Sequence, residues 1–131
     1  MNESDTRIHK IDPQLKAAGW SVVEGSHIST EYRITRGKIS QSVKMKGKKA
    51  DYLLLYRGQR MAVVEAKADE VGYQEGVMQA IEYAEMLDIR YTYATDGDRI
   101  WQRDRTTGAQ GFLDAFPNPE ELWHMTYGEA H

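Results

Sequence analysis

Two β-type runs, Ala50–Tyr56 and Arg60–Ala66, are separated by only Arg57-Gly58-Gln59. A connection that short closes an antiparallel hairpin and cannot carry a parallel crossover. Both runs are apolar at consecutive central positions, Tyr52-Leu53-Leu54-Leu55 and Met61-Ala62-Val63-Val64, as in strands covered on two faces rather than one. The chain must therefore place other elements on both sides of this hairpin.

The flanking sequence supplies them. Tyr73, Val77, Ala80, Ile81, Ala84 and Leu87 trace an apolar stripe that predicts a helix over Tyr73–Asp88, ahead of a strand at Tyr91–Thr95. Strand, helix and strand form a βαβ unit whose crossover should be right-handed if Tyr91–Thr95 runs parallel to Arg60–Ala66. Asp96-Gly97 then turns into Arg99–Arg103, expected as an edge strand. Upstream, Ile8, Ile11 and Leu15 mark a first helix with Asp12-Pro13 as cap and first position, ended by Gly19. Trp20–Val23 and Glu31–Thr35 read as short strands, and Gly37–Lys49 as an exposed ribbon or loop. Near the end, Asn118-Pro119-Glu120-Glu121 has the form of a capping box. The expected fold is α/β, a mixed sheet flanked by helices, with a domain over 1–116 and a tail or helix over 117–131.

At 131 residues the chain is long enough for one domain with its own core. It contains no cysteine, which excludes a disulfide scaffold, a thiolate zinc site and a cysteine nucleophile, and agrees with the cytoplasm as its expected compartment. No apolar stretch approaches the ~20 residues of a membrane helix. The polar, acidic start Met1-Asn2-Glu3-Ser4-Asp5 gives no expectation of a secretory signal. His9, His27, His124 and His131 lack zinc-ligand spacing, and Ser26-His27 lacks the context of a hydrolase nucleophile. No phosphate-cradling G-x-x-x-x-G-K-[ST] occurs, so no ATP motor is encoded.

The net charge of −3 conceals a polarisation. Arg33, Arg36, Lys38, Lys44, Lys46, Lys48 and Lys49 fall in a stretch, 32–50, without a single acid. That stretch is either a solvated hairpin or a contact for a polyanion. Contacts of lysines with a nucleic-acid backbone would be salt-sensitive and blind to sequence.

Asp51 begins one strand of the hairpin and Glu65-Ala66-Lys67 ends its partner, so the turn brings all three charges to one end of an apolar element. Alternation puts Glu65 and Lys67 on one side and Ala66 on the other. Such burial is costly unless the charges pair or bind something. One solution is an ion pair that fixes strand register. The other is a hard, oxygen-only site for Mg²⁺, with two carboxylates, a backbone carbonyl and waters, and the lysine beside the attacked phosphate. Gln79 and Tyr83 fall at i and i+4 on the following helix, which the crossover would lay across the same end of the sheet.

Asp51, Glu65-Ala66-Lys67 and Gln79-Ala80-x-x-Tyr83-Ala84 resemble the PD-(D/E)xK nuclease superfamily. The chain is most similar there to the N-terminal nuclease domain of the R (HsdR) subunit of type I restriction enzymes. Glu31-Tyr32-Arg33-Ile34-Thr35-Arg36-Gly37-Lys38-Ile39, Ala50–Tyr56, Thr95-Asp96-Gly97 and Pro119-Glu120-Glu121-Leu122-Trp123 extend the likeness over nearly the whole chain.

The resemblance implies a restriction-endonuclease-like sheet and Mg²⁺-dependent hydrolysis of phosphodiester bonds by a metal-bound water. Asp51, Glu65 and the Ala66 carbonyl would be metal ligands and Lys67 the catalytic lysine. Gln79 and Tyr83 would support DNA binding and cleavage. Ala50 replaces the usual proline. An additional acid is expected near the N-terminus, with Glu31 ranked ahead of Asp12 and Glu24. Arg36, Lys44, Lys46, Lys48 and Lys49 are the candidate DNA-backbone contacts. Implied partners are double-stranded DNA and, through a full-length R subunit, the methyltransferase (M) and specificity (S) subunits. ATP would enter only through a motor outside this chain, which is expected to be an excised nuclease domain. An inert DNA-binding or docking module and a Holliday-junction or repair nuclease are the competing readings.

Overall fold

The computed structural model describes residues 7–33, 49–67 and 73–128. Six strands form one mixed sheet in chain order: β1 (Ser26–Arg33), β2 (Lys49–Tyr56), β3 (Gln59–Ala66), β4 (Tyr91–Thr95), β5 (Ile100–Asp104) and β6 (Gln110–Leu113). All neighbours pair antiparallel except β3 and β4, which run parallel. The parallel pair is joined by helix α2 (Tyr73–Leu87), as the βαβ pattern predicts. Helix α1 (Asp12–Ala17), preceded by a π-helical segment Arg7–Ile11, and helix α3 (Pro119–Tyr127) complete the architecture.

Burial on both faces of the hairpin divides the core in two. On one face Tyr52, Leu54, Tyr56, Ala62, Val64 and Tyr93 pack with Ile11, Leu15 and Trp20 from the first helical region and with Phe116 and Leu122 near α3. On the other, Leu53 and Val63 pack against Ala80, Tyr83, Ala84 and Leu87 of α2. Three layers result, helices over both faces of a sheet. None of the described helices is long and apolar enough to cross a membrane.

The hairpin turn has two residues rather than three. Arg57 (φ 53°) and Gly58 (φ 79°) both take positive φ, as a turn matched to strand twist demands. Arginine is an unusual occupant, but its amide donates to the Gly25 carbonyl at 3.1 Å. Its guanidinium lies 4.9 Å from the Tyr56 ring centre and 4.8 Å from that of Trp123, and pairs with Glu120 at 3.2 Å. The turn thus clasps α3. That helix carries the expected capping box: the Glu121 amide donates to Asn118 Oδ1 at 2.7 Å, and the Asn118 amide donates to Glu121 Oε1 at 2.8 Å.

Four expectations need correction. Trp20–Val23 is not a strand: Gly19 (φ 107°) and Ser21 (φ 71°) reverse the chain there, and Trp20 plugs the core with its indole N–H on the Pro117 carbonyl at 2.9 Å. Strand β1 begins at Ser26, earlier than the predicted Glu31. The strand after Asp96-Gly97 is not an edge, because β6 pairs along its outer side. Asp12 does not cap α1 either. Ile11 occupies the cap position without a side-chain bond, and the Asp12 carboxylate accepts a hydrogen bond from the Tyr52 hydroxyl. Residues 34–48, the greater part of the predicted ribbon, lie outside the described residues.

Candidate active site

The parallel strands β3 and β4 end side by side, with Glu65 opposite Ala94 and Ala66 opposite Thr95, and antiparallel β2 starts at the same end. Ligands of open α/β sheets bind beyond the carboxyl ends of parallel strands, and Asp51, Glu65 and Lys67 collect at this end. The Asp51 amide donates to Glu65 Oε2 at 3.0 Å, and Asp51 Oδ2 accepts from the Ala66 amide at 2.9 Å. Each acid therefore binds the backbone of the other's strand, which fixes both carboxylates at one place.

Glu65 is 3% exposed and Lys67 7%. The Lys67 amide donates to the Thr95 carbonyl at 3.0 Å, extending the β3–β4 ladder to the lysine itself. Its ammonium lies 3.8 Å from Glu75 Oε1 on α2. Burial, and next the negative charge of Asp51, push the Glu65 carboxyl up to about 9, with the Ala66-side lysine, Lys67, pulling weakly the other way. A carboxyl pushed so far above its ordinary range marks a buried acid held beside a second acid, with the neighbouring lysine too weak to offset the burial.

These residues fit a hard divalent cation. The donors are oxygens, they converge, and the perturbation of Glu65 is what an additional cation between the acids would reverse. Among the described residues no group of three or more His, Asp or Glu side chains gathers at one place, so a metal here would rest on two carboxylates together with backbone and water oxygens.

Helix α2 closes the site from above. Gly76 faces it: a Cβ added there would lie 3.2 Å from Lys67 Cγ, 3.3 Å from Ala94 Cβ and 3.6 Å from Glu65 Cβ. Just past the end of β4, Asp96 is buried. Burial tends to raise its carboxyl, yet hydrogen bonds from the Arg99 side chain and from the amides of Arg99 and Asp98 hold it below the ordinary range.

No family profile matches the sequence. Over 135 aligned residues, 94% of this chain, it is 35% identical to the type I restriction enzyme EcoAI endonuclease subunit of Escherichia coli. The fold superposes over 98% of its length on a fragment of a protein described as an HsdR subunit of a type I restriction enzyme from Vibrio vulnificus YJ016, with a TM-score of 0.84 and 37% identity. The chain is an HsdR-type domain. It spans 16% of the E. coli subunit and 26% of the Vibrio chain.

In this HsdR-type domain the structure gathers Asp51, Glu65, Ala66 and Lys67 at one end of the sheet. Tyr83 is buried in the α2–sheet core beside Ala50 and Leu53, whereas Gln79, one turn earlier on α2, is half-buried in a shallow depression with Met78, Ile81, Glu82 and Glu85. The backbone of Glu31 lies in β1, between residues that pair with Tyr52 and Ala50, but its side chain is outside the described part, as is that of Lys49. Arg36, Lys44, Lys46 and Lys48 also lie outside the described residues. Asp12 is engaged with Tyr52 on the face away from α2, and Glu24 is exposed in the turn before β1. An open groove of about 570 Å³ near α3, lined by Gln102, Leu113, Phe116, Pro117 and Met125 among others, contains none of the predicted site residues.

Two site neighbours have no signal in a reading by motif. Glu75 reads as an ordinary surface acid, and Gly76 reads only as a weak point in a helix.

Proposed function

We propose that this HsdR-type domain is the Mg²⁺-dependent DNA endonuclease domain of a type I restriction R subunit. The observation that carries the reading is the reciprocal bonding of Asp51 and Glu65 across β2 and β3, with Glu65 forced up to about 9. Two acids fixed at that cost of burial have a use if a cation joins them.

Asp51, Glu65 and the Ala66 carbonyl would hold Mg²⁺. Bound there, the ion supplies a Lewis acid for the phosphodiester and an acidified water. The chain's own part is positional and electrostatic. The Lys67 ammonium, on a residue 7% exposed, would face the oxygens on which negative charge grows as water adds to phosphorus and the bond to the leaving sugar oxygen breaks. The stacked β2–β3–β4 ends keep the three groups from moving apart. Lys49 and the basic residues Arg36, Lys44, Lys46 and Lys48, which precede Asp51 in the chain, would follow the DNA backbone, and Gln79 and Tyr83 would support the strand from α2. Sequence recognition would belong to another subunit, and translocation to an ATP-driven motor elsewhere in the R subunit.

The test is plasmid cutting by the full-length R subunit assembled with M and S, in ATP and Mg²⁺. Asp51→Asn, Glu65→Gln and Lys67→Ala each abolish cutting while ATP hydrolysis continues. Cutting at the wild-type rate by Lys67→Ala overturns the assignment.

A further inference from the structure

We propose that the first turn of α2, through Glu75 and Gly76, is the positioning element for Lys67; the inference rests on the reading of Lys67 as the catalytic lysine. The Lys67 backbone is fixed by its amide bond to Thr95 at 3.0 Å, but that leaves four side-chain torsions to set where the ammonium points. Two contacts from α2 restrict them. Gly76 lies against the stem, so close that a methyl group there would stand 3.2 Å from Cγ and 3.3 Å from Ala94 Cβ, with the Glu65 Cβ 3.6 Å away on the third side. Glu75 then meets the ammonium at 3.8 Å.

Charge and propensity both give these residue types a reason. The amino end of a helix carries partial positive charge, which disfavours a lysine ammonium beside the first turn of α2, and an acid at Glu75 offsets it. Glycine inside a helix weakens it relative to alanine, so its presence at 76 needs a reason in packing, and the lysine stem is that reason. Glu75 is 64% exposed, so its ion pair adds little to the stability of the fold. Its effect is on the direction of Lys67.

The experiment compares Glu75→Gln, Glu75→Asp, Gly76→Ala and Lys67→Ala in the full-length R subunit within its complex, measuring kcat and KM for DNA cutting and the Tm of each protein. Glu75→Gln lowers kcat about tenfold with KM and Tm unchanged, and Glu75→Asp, which returns the charge, recovers most of the rate. Gly76→Ala lowers kcat at least as far, with whatever Tm the balance between the crowding of Lys67 and Ala94 and the better helix propensity of alanine leaves. Wild-type kcat in either Glu75→Gln or Gly76→Ala, with Lys67→Ala inactive, overturns the positioning role and leaves the nuclease reading standing. A Glu75→Asp rate no better than that of Glu75→Gln also overturns it. Wild-type cutting by Lys67→Ala removes the nuclease reading itself.

Discussion

Asp51 and Glu65 each bind the other's strand: the Asp51 amide donates to Glu65 Oε2 at 3.0 Å, and Asp51 Oδ2 accepts from the amide that follows Glu65 at 2.9 Å. The arrangement aligns two carboxylates at the end of a hairpin at the expense of fold stability, because Glu65 is buried next to a like charge. Several consequences can be measured.

Glu65→Gln should stabilise the domain while destroying its activity. With its pKa raised from 4.5 to about 9 in the folded state, Glu65 binds more protons folded than unfolded between those values, so stability falls as pH rises through that window. Glutamine keeps an oxygen for the Asp51 amide and carries no charge. In metal-free buffer, chemical denaturation at pH 8 should show the variant more stable than wild type by about 1 kcal/mol or more, with the gap closing towards pH 4. A variant less stable than wild type at pH 8 refutes the like-charge account.

The Arg90–Asp104 pair works in the opposite sense. Arg90 binds both Asp104 oxygens at 2.8 Å and also donates to the Met125 and Thr126 carbonyls at the end of α3. The Arg90 side chain holds the Asp104 carboxyl far below its ordinary range, with the Thr106 amide assisting. A lowered acid stabilises the fold above its unfolded pKa, and this contribution is lost as pH falls towards the folded value. Arg90→Ala should cost about 2 kcal/mol at pH 7 by urea unfolding, less below pH 3, and should loosen α3 in hydrogen exchange. An unchanged midpoint at pH 7 contradicts this.

Asn118→Ala removes the cap of α3 and one half of its capping box. The expected loss is ~1 kcal/mol, read from the denaturation midpoint, with DNA cutting unaffected at temperatures where the protein stays folded. Loss of cutting in a folded variant would require a role for α3 that its contacts do not explain.

The hairpin and α2 were legible in the sequence because burial on two faces and a 3.6-residue stripe are both patterns of residue type. Asp51 and Glu65 were legible for the same reason, since a short turn dictates which strand ends meet. The first part of strand β1 was not, because Ser26-His27-Ile28-Ser29-Thr30 is a largely polar run at the edge of the sheet, paired to β2 and without the apolar alternation of a half-buried strand. Trp20–Val23 has a strand's composition, but the positive φ angles at Gly19 and Ser21 turn it inward. Four residues including a glycine gave no hint of β6. Gly76 could not be read at all. Its importance lies in what stands opposite it, Lys67 and Ala94, which are distant in the chain.

The central claim is that Asp51 and Glu65 form one cation site. Crystals of the domain soaked in Mn²⁺ and measured at the manganese absorption edge test it most directly. The account predicts an anomalous peak between the two carboxylates, at roughly 2.2 Å from an oxygen of each, and its loss in Glu65→Gln. A wild-type crystal with manganese bound elsewhere, and none between the Asp51 and Glu65 carboxylates, would contradict it.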